Sequence, residues 1–183
     1  EVLIGTLDTY IIYKLTAGLS YKTEPSNASR TLLYNLYSKS WDTPLKELMG
    51  LSKDTNLPTI VDSSASFGVS KGLNNILPDN IPITAVLGDQ QAALAGQLCL
   101  SPNTAKCTYG TGAFLLINTG EKIVQKSQDL LTTVAWSHDK KHTYALEGAS
   151  FVAGSAVDYL KDNLKIIADI KELVTTDTTH AAP

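Results

Sequence analysis

Asp89 stands where an apolar run gives way to a helix, a place where a carboxylate could cap the helix or take a proton from a substrate. In residues 85–98, AVLGDQQAALAGQL, an apolar run ends at Gly88-Asp89 and a small-residue helical pattern begins at once. A carboxylate at such a strand-to-helix junction can act as a general base. Asp is also a good helix cap, and caps are far commoner than catalytic residues. The residue alone leaves both readings open. A second feature is Gly110-Thr111-Gly112, set between two β-type runs. Glycines let a backbone approach a ligand closely, and a turn of N–H groups with a Thr hydroxyl can hold a phosphate. The plain alternative is a hairpin turn, the commoner use of such a triplet. His138 and His142 are four apart, a spacing that holds metal on a helix. Here it spans a turn containing two lysines, which favours solvated hairpin residues, and no metal site is assigned. There is no Walker-type GxxxxGK[ST] loop, no GxGxxG, no HExxH and no CxxC, which removes the commonest nucleotide and zinc patterns.

The elements that would position these groups follow from periodicity and punctuation. GTLDTYIIYKLTAG predicts a short helix capped by Thr6 and stopped at Gly18. TLLYNLYSKSW reads weakly as a strand. DTPLKELMG predicts a helix with Thr43 as cap, Pro44 in the first turn and Gly50 at the end. SFGVSKGLNNILPDN reads as a strand edge and loop, and IPITAVLG as a buried strand leading to the helix DQQAALAGQL. Two hairpins follow. AKCTY and AFLLIN flank the Gly-Thr-Gly turn, and LLTTVAWS and HTYALEG flank Asp139-Lys140-Lys141. ASFVAGSAVDYLKDNL and KIIADIKELV predict closing helices. Mixed strands and helices make the chain α/β.

The bulk properties set outer bounds. With 183 residues, 43% of them hydrophobic, the chain can build a core of one large domain or parts of two. A net charge of −3 without a basic run offers no footprint for nucleic acid. No apolar stretch reaches the roughly 20 residues that cross a bilayer. Cys99 and Cys107, with no secretion signal, are expected to be reduced thiols in a cytoplasmic protein. The triplet Asn27-Ala28-Ser29 is then irrelevant as a glycosylation signal. Glu1-Val2-Leu3-Ile4 begins in mid-apolar sequence and DTTHAAP closes without an element, so the chain is expected to be a piece of a longer protein.

Taken together, GTLDTYIIYKLT, SNASRTLLYNL, GDQQAALAGQL, AKCTYGTGAFLLINTGEK, LLTTVA and YALEGASFVAGSAVDYLKDNL resemble the glycerol kinases, within the family of sugar and polyol kinases. They occur in that family's order and close to its spacing, from Gly5 to about Leu164. The resemblance implies an actin-like (ribonuclease H-like) ATPase fold, here incomplete, with two α/β domains around a cleft that takes ATP and substrate. Residues 1–97 would close the first domain and 98–183 would open the second. Gln90–Leu98 would be the helix crossing between them.

It further implies ATP-dependent phosphorylation of glycerol to glycerol 3-phosphate with Mg2+, Asp89 serving as base while also capping its helix. Gln90 would hydrogen-bond glycerol, Thr111 within Gly110-Thr111-Gly112 would face the transferring phosphate, and Gly154 would lie against the nucleotide. Asp158 stands where that family often has Gln and is left unassigned. Ala113 and Tyr10 stand where Cys and Trp are common and read as packing variation. The first phosphate-binding motif and the residues gripping glycerol would lie upstream, so the isolated chain is expected to be inactive. The other expectations are another polyol or sugar kinase, or a non-catalytic actin-like nucleotide-binding module, against which Asp89 counts. No nucleic acid or membrane span is expected, and a homo-oligomer is left open.

Overall fold

The computed structural model describes residues 3–52, 54–73, 76–125, 129–169 and 171. The chain divides into two compact units, Glu1–Lys106 with Leu116–Glu147, and Cys107–Leu115 with Gly148–Pro183.

The first unit opens with helix α1 (Leu7–Leu15), entered at Thr6. It stops where Gly18, at φ 82°, donates its N–H to the Tyr13 carbonyl. Strand β1 (Lys22–Thr23) pairs in parallel with β4 (Thr59–Ile60). Between them lie the short helix α2 (Pro25–Ala28), a hairpin and helix α3 (Thr43–Leu48). The hairpin, β2 (Tyr34–Asn35) with β3 (Ser40–Trp41), replaces the single strand expected from TLLYNLYSKSW. Asn35 turns the chain, its side-chain oxygen accepting from the Tyr37 and Ser38 N–H groups. Helix α3 is capped one residue earlier than expected. Asp42, rather than Thr43, accepts from the Leu45 N–H at 3.0 Å, and the Asn35 amide, donating to Asp42 at 2.7 Å, with this cap bond second, holds its pKa below the usual carboxylate value.

Strands β5 (Ser64–Val69) and β6 (Pro82–Ala85) form an antiparallel pair. β6 was expected to be buried, yet of its residues only Ile83 is half-buried. Among the described residues its one sheet partner is β5, so its apolar side chains have little to cover them. Helix α4 (Asp89–Gly96) follows and buries Gln91 and Leu94.

Strands β7 (Ala105–Tyr109), β8 (Ala113–Gly120), β9 (Leu131–His138) and β10 (Lys141–Ser150) form a sheet in the order β7-β8-β10-β9. β9 and β10 pair antiparallel through the two-residue turn Asp139-Lys140, both residues at positive φ as such tight turns require. Leu94, Cys99, Leu116, Ala135 and Ala145 form one buried cluster. Ala28, Tyr34, Val134 and Tyr144 form the other. The second unit takes the ends of β7, β8 and β10 and adds helix α5 (Gly154–Asp158), continued by a π-helical turn, Tyr159–Asn163. The small-residue helix thus starts later than expected, because Gly148–Ser150 remain in β10. The helix expected to start at Lys165 in KIIADIKELV does not: residues 165–169 are irregular, with Lys165 at positive φ, and of the rest only Lys171, which is helical, is described.

Candidate active site

Asp89 lies at the start of α4, but it does not cap that helix. Gly88 is the cap, with extended backbone (φ −60°, ψ 151°), and its carbonyl accepts the first helical bond from Ala92 at 2.7 Å. Asp89 is already helical, so its exposed carboxylate reaches only the next residue, accepting from the Gln90 backbone N–H at 2.7 Å and from the Gln90 side-chain amide at 3.5 Å. The dual role expected for Asp89 is therefore corrected: the cap is a backbone feature, and the carboxylate is left facing outward at the helix end that favours an anion.

What fixes this junction is a chain of buried polar groups. Gly88 donates its N–H to Ser26 Oγ at 2.9 Å. Ser26 Oγ in turn donates to Glu24 in a short hydrogen bond. Glu24, fully buried, caps α2 and accepts from the N–H groups of Ser26 (2.9 Å) and Asn27 (2.7 Å). It also accepts from the Asn27 amide (2.8 Å) and the Ser63 hydroxyl (2.6 Å). Ser63 joins β9 as well, its Oγ accepting from the Ser137 N–H at 2.9 Å. Beyond Asp89, Gln90 is half-buried, and Lys106 of β7, only 2% exposed, donates from Nζ to Gln90 Oε1.

None of Glu24, Ser26, Ser63 and Lys106 was singled out from the sequence. Pro25 marks a helix start and so points at Glu24 as its cap. Lys106 falls with Thr108 on the polar side of AKCTY, the side the structure buries, so local pattern offers no signal for it.

The second unit brings Gly110, Thr111, Gly112 and Gly154 together. Gly110 donates to the Gly112 carbonyl at 2.8 Å, and Gly154 donates to the Gly110 carbonyl at 2.9 Å. The Thr111 carbonyl accepts from Ala153 at 2.8 Å and from Ser155 at 3.2 Å. A Cβ on Gly112 would stand 2.6 Å from the Ser150 carbonyl oxygen, and one on Gly154 2.6 Å from that of Gly110. The need for glycine at 154, expected to come from a nucleotide, already has a reason inside the chain. Thr111 itself is exposed, and the turn is built from its carbonyl rather than its hydroxyl.

His138 and His142 part company. His138 is exposed, whereas His142 is buried and not solvated as expected, with Nε2 2.8 Å from the Tyr34 hydroxyl. Burial holds the His142 pKa below its ordinary value, with Lys39 adding to the effect. The same burial raises the Tyr34 phenol well above its ordinary value. Asp158 ends α5 and is exposed. Tyr10 is 59% exposed, so it is not a packing substitute, whereas Ala113 is half-buried. Cys99 is buried and Cys107 exposed, and both are free thiols. Among the described residues no helix is long and apolar enough to cross a membrane.

Comparison with known proteins places this arrangement. Residues 2–96 match the N-terminal domain of the FGGY family of carbohydrate kinases, and residues 105–181 match its C-terminal domain. The chain belongs to the FGGY family of carbohydrate kinases. Glycerol kinase of Bdellovibrio bacteriovorus is 48% identical over 180 residues, covering 96% of this chain and 36% of the relative. Glycerol kinase of Brevibacillus brevis is 46% identical over 183 residues, covering 98% and 36%. The chain thus spans about a third of the length of the curated relatives it matches. Among solved structures, Plasmodium falciparum glycerol kinase with ADP superposes with a TM-score of 0.87 at 42% identity, over 93% of this chain and 34% of that one. A ligand-bound xylulose kinase from Lactobacillus acidophilus superposes at 0.71 and 20% identity, over 87% and 32%, a likeness of fold. The FGGY chain has the actin-like ATPase fold of these kinases, mixed α/β and present in part.

Proposed function

We propose that the protein carrying this chain is a glycerol kinase, transferring the terminal phosphoryl group of ATP to glycerol in the cytoplasm. The observation that carries the reading is Asp89: an exposed carboxylate on the first turn of α4, on a junction held by buried side chains, with Gln90 fixed beside it. A nucleotide-binding module has no use for a base held out in this way. In a loose phosphoryl-transfer transition state the attacking hydroxyl becomes acidic late. Asp89 orients that hydroxyl and accepts its proton as the new P–O bond forms. Gln90 hydrogen-bonds the polyol. In the second unit the Thr111 hydroxyl, free of the work of holding the turn, bonds the transferring phosphate. Gly112 and Gly154 let the turn close on itself, and the closed turn presents Gly110, where a Cβ would meet only an ordinary contact, to a nucleotide. Mg2+ would arrive on the ATP phosphates, its usual mode of binding in phosphoryl transfer. The same reading divides the chain after Gln97, with residues 1–97 ending the first kinase domain and 98–183 beginning the second.

The test is acceptor choice. The full-length protein is incubated with ATP and, separately, glycerol, xylulose and gluconate, following ADP release and identifying the product. Glycerol-dependent release with glycerol 3-phosphate as product is expected. A faster reaction with the ketose or the sugar acid, or ATP binding without transfer to any acceptor, would sink the assignment.

A further inference from the structure

Lys106 is an unusual residue to find inside a sheet. It is 2% exposed in β7, and its ammonium group donates to Gln90 Oε1. Burying an ammonium is costly unless strong acceptors meet it. An amide oxygen at a helix start is one such acceptor, and a charge-assisted bond to it is stronger than a neutral one.

The chemistry of the two groups settles which way the Gln90 amide turns. An ammonium has three donors and no acceptor, whereas a glutamine amide has one oxygen and one NH2. Lys106 can only face the oxygen. The NH2 is therefore directed away from Lys106, and Nε2 stands 3.5 Å from Asp89 Oδ2. A free glutamine could either accept from a substrate hydroxyl or donate to a substrate oxygen. With its oxygen engaged by Lys106, Gln90 is a donor.

We propose that Lys106 is a positioning residue: it locks the Gln90 amide so that Nε2 points outward beside Asp89, as a fixed donor to a substrate hydroxyl oxygen. This rests on the reading of Asp89 and Gln90 given above. It adds a division of labour. On one hydroxyl of a polyol, Gln90 occupies a lone pair while Asp89 takes the proton. A substrate atom that is only a donor gains nothing at Gln90, so the pair selects alcohols over ammonium-bearing analogues.

The test is a double-mutant cycle in the full-length enzyme, comparing wild type, Lys106→Met, Gln90→Ala and the double variant. Glycerol KM, ATP KM, kcat and thermal midpoint are measured for each. Lys106→Met is expected to raise glycerol KM by up to about tenfold, the upper range for one neutral hydrogen bond, with ATP KM unchanged. In the Gln90→Ala background it should add less than about twofold, because the group it positions is gone. An equal rise in glycerol KM with and without Gln90, or no rise, would overturn the proposal. Where Lys106→Met does not fold, Gln90→Glu decides. It keeps an acceptor for Lys106 and removes the donor, so glycerol KM should rise as far as in Gln90→Ala, whereas an unchanged KM refutes the donor role. Wild-type turnover separates the two ideas. If another polyol is the substrate, glycerol kinase is the wrong assignment, and the same cycle run on that polyol still tests Lys106.

Discussion

The start of α4 and the Gly110–Gly112 turn are held together by opposite means. At α4 the backbone is fixed by side chains: Glu24 gathers Ser26, Asn27 and Ser63, and Ser26 holds the Gly88 N–H. At the turn the backbone holds itself, with Gly110, Thr111, Ala153 and Gly154 exchanging main-chain bonds, and glycines standing where a Cβ would strike a carbonyl. In each region the side chain proposed to act is not the one that builds. Asp89 is exposed while buried Glu24 does the holding, and the Thr111 hydroxyl projects while its carbonyl does the holding. Separating building from acting lets each site keep its shape when the acting group is changed.

The largest effect expected from this contrast is at Asp89. In the full-length enzyme, Asp89→Asn should lower turnover about 10²- to 10⁴-fold, the usual worth of a general base. Because Gly88 is the cap, stability should fall by no more than about 1 kcal/mol, the worth of an exposed carboxylate at a helix N-terminus, and Asp89→Ala should behave alike. Loss of folding in either variant would show that Asp89 builds as well as acts.

Glu24 should show the reverse. Glu24→Ala strands the buried donors of Ser26, Asn27 and Ser63, each costing about 1–3 kcal/mol when left unpaired. A loss of at least about 3 kcal/mol in urea denaturation is expected. Glu24→Gln should be intermediate, keeping one acceptor oxygen while pointing an NH2 at other donors. A Glu24→Ala protein as stable as wild type would dissolve the distinction between the two carboxylates.

Thr111 tests the second region. Thr111→Ala keeps the carbonyl that accepts from Ala153 and Ser155, so the turn should survive. Turnover is expected to fall on the order of 10- to 100-fold through one lost hydrogen bond to a charged group, with glycerol KM nearly unchanged. Normal turnover would reduce the triplet to a turn.

The same contrast explains what could be read in the sequence. The turn was legible because its construction is written in residue type: only glycine fits at 112 and 154, and both hairpins carry their own punctuation. Asp89 was legible as a residue but misplaced by one position as a cap, since Gly88 supplies the cap through its backbone and leaves no polar signature. The buried network was not legible. Glu24, Ser63 and Ser137 lie far apart in the chain, and only folding brings a capping glutamate to a serine 39 residues away. Local pattern also failed at β6, where an apolar run implies burial but the sheet gives it one neighbour. The four-residue spacing of His138 and His142 likewise hid a difference in environment, because the alternation of β10 turns His142 inward.

The smallest expected effect is at that histidine, a buried polar group with no hydrogen bond to the chain leading to α4. His142 pairs with Tyr34, and burial, aided by Lys39, lowers its pKa from the ordinary value of about 6.5, while Asp62 opposes the shift. The folded protein therefore prefers the neutral ring, and the unfolded chain binds the proton more readily. The stability this contributes is complete above about pH 6.5 and is lost as pH falls through that value toward the lowered folded one. Between pH 7 and 5.5 the thermal midpoint of the wild type should fall more steeply than that of His142→Asn, which cannot titrate there and can still meet the Tyr34 hydroxyl. Turnover at pH 7.5 should be the same in both, because no hydrogen bond links His142 to Gly88 or Asp89. Parallel melting curves would show that His142 does not titrate as its burial requires. A drop in turnover with unchanged melting would mean that the junction at α4 extends further into the sheet than Glu24 and Ser63, and the separation of building from acting would then fail at its edge.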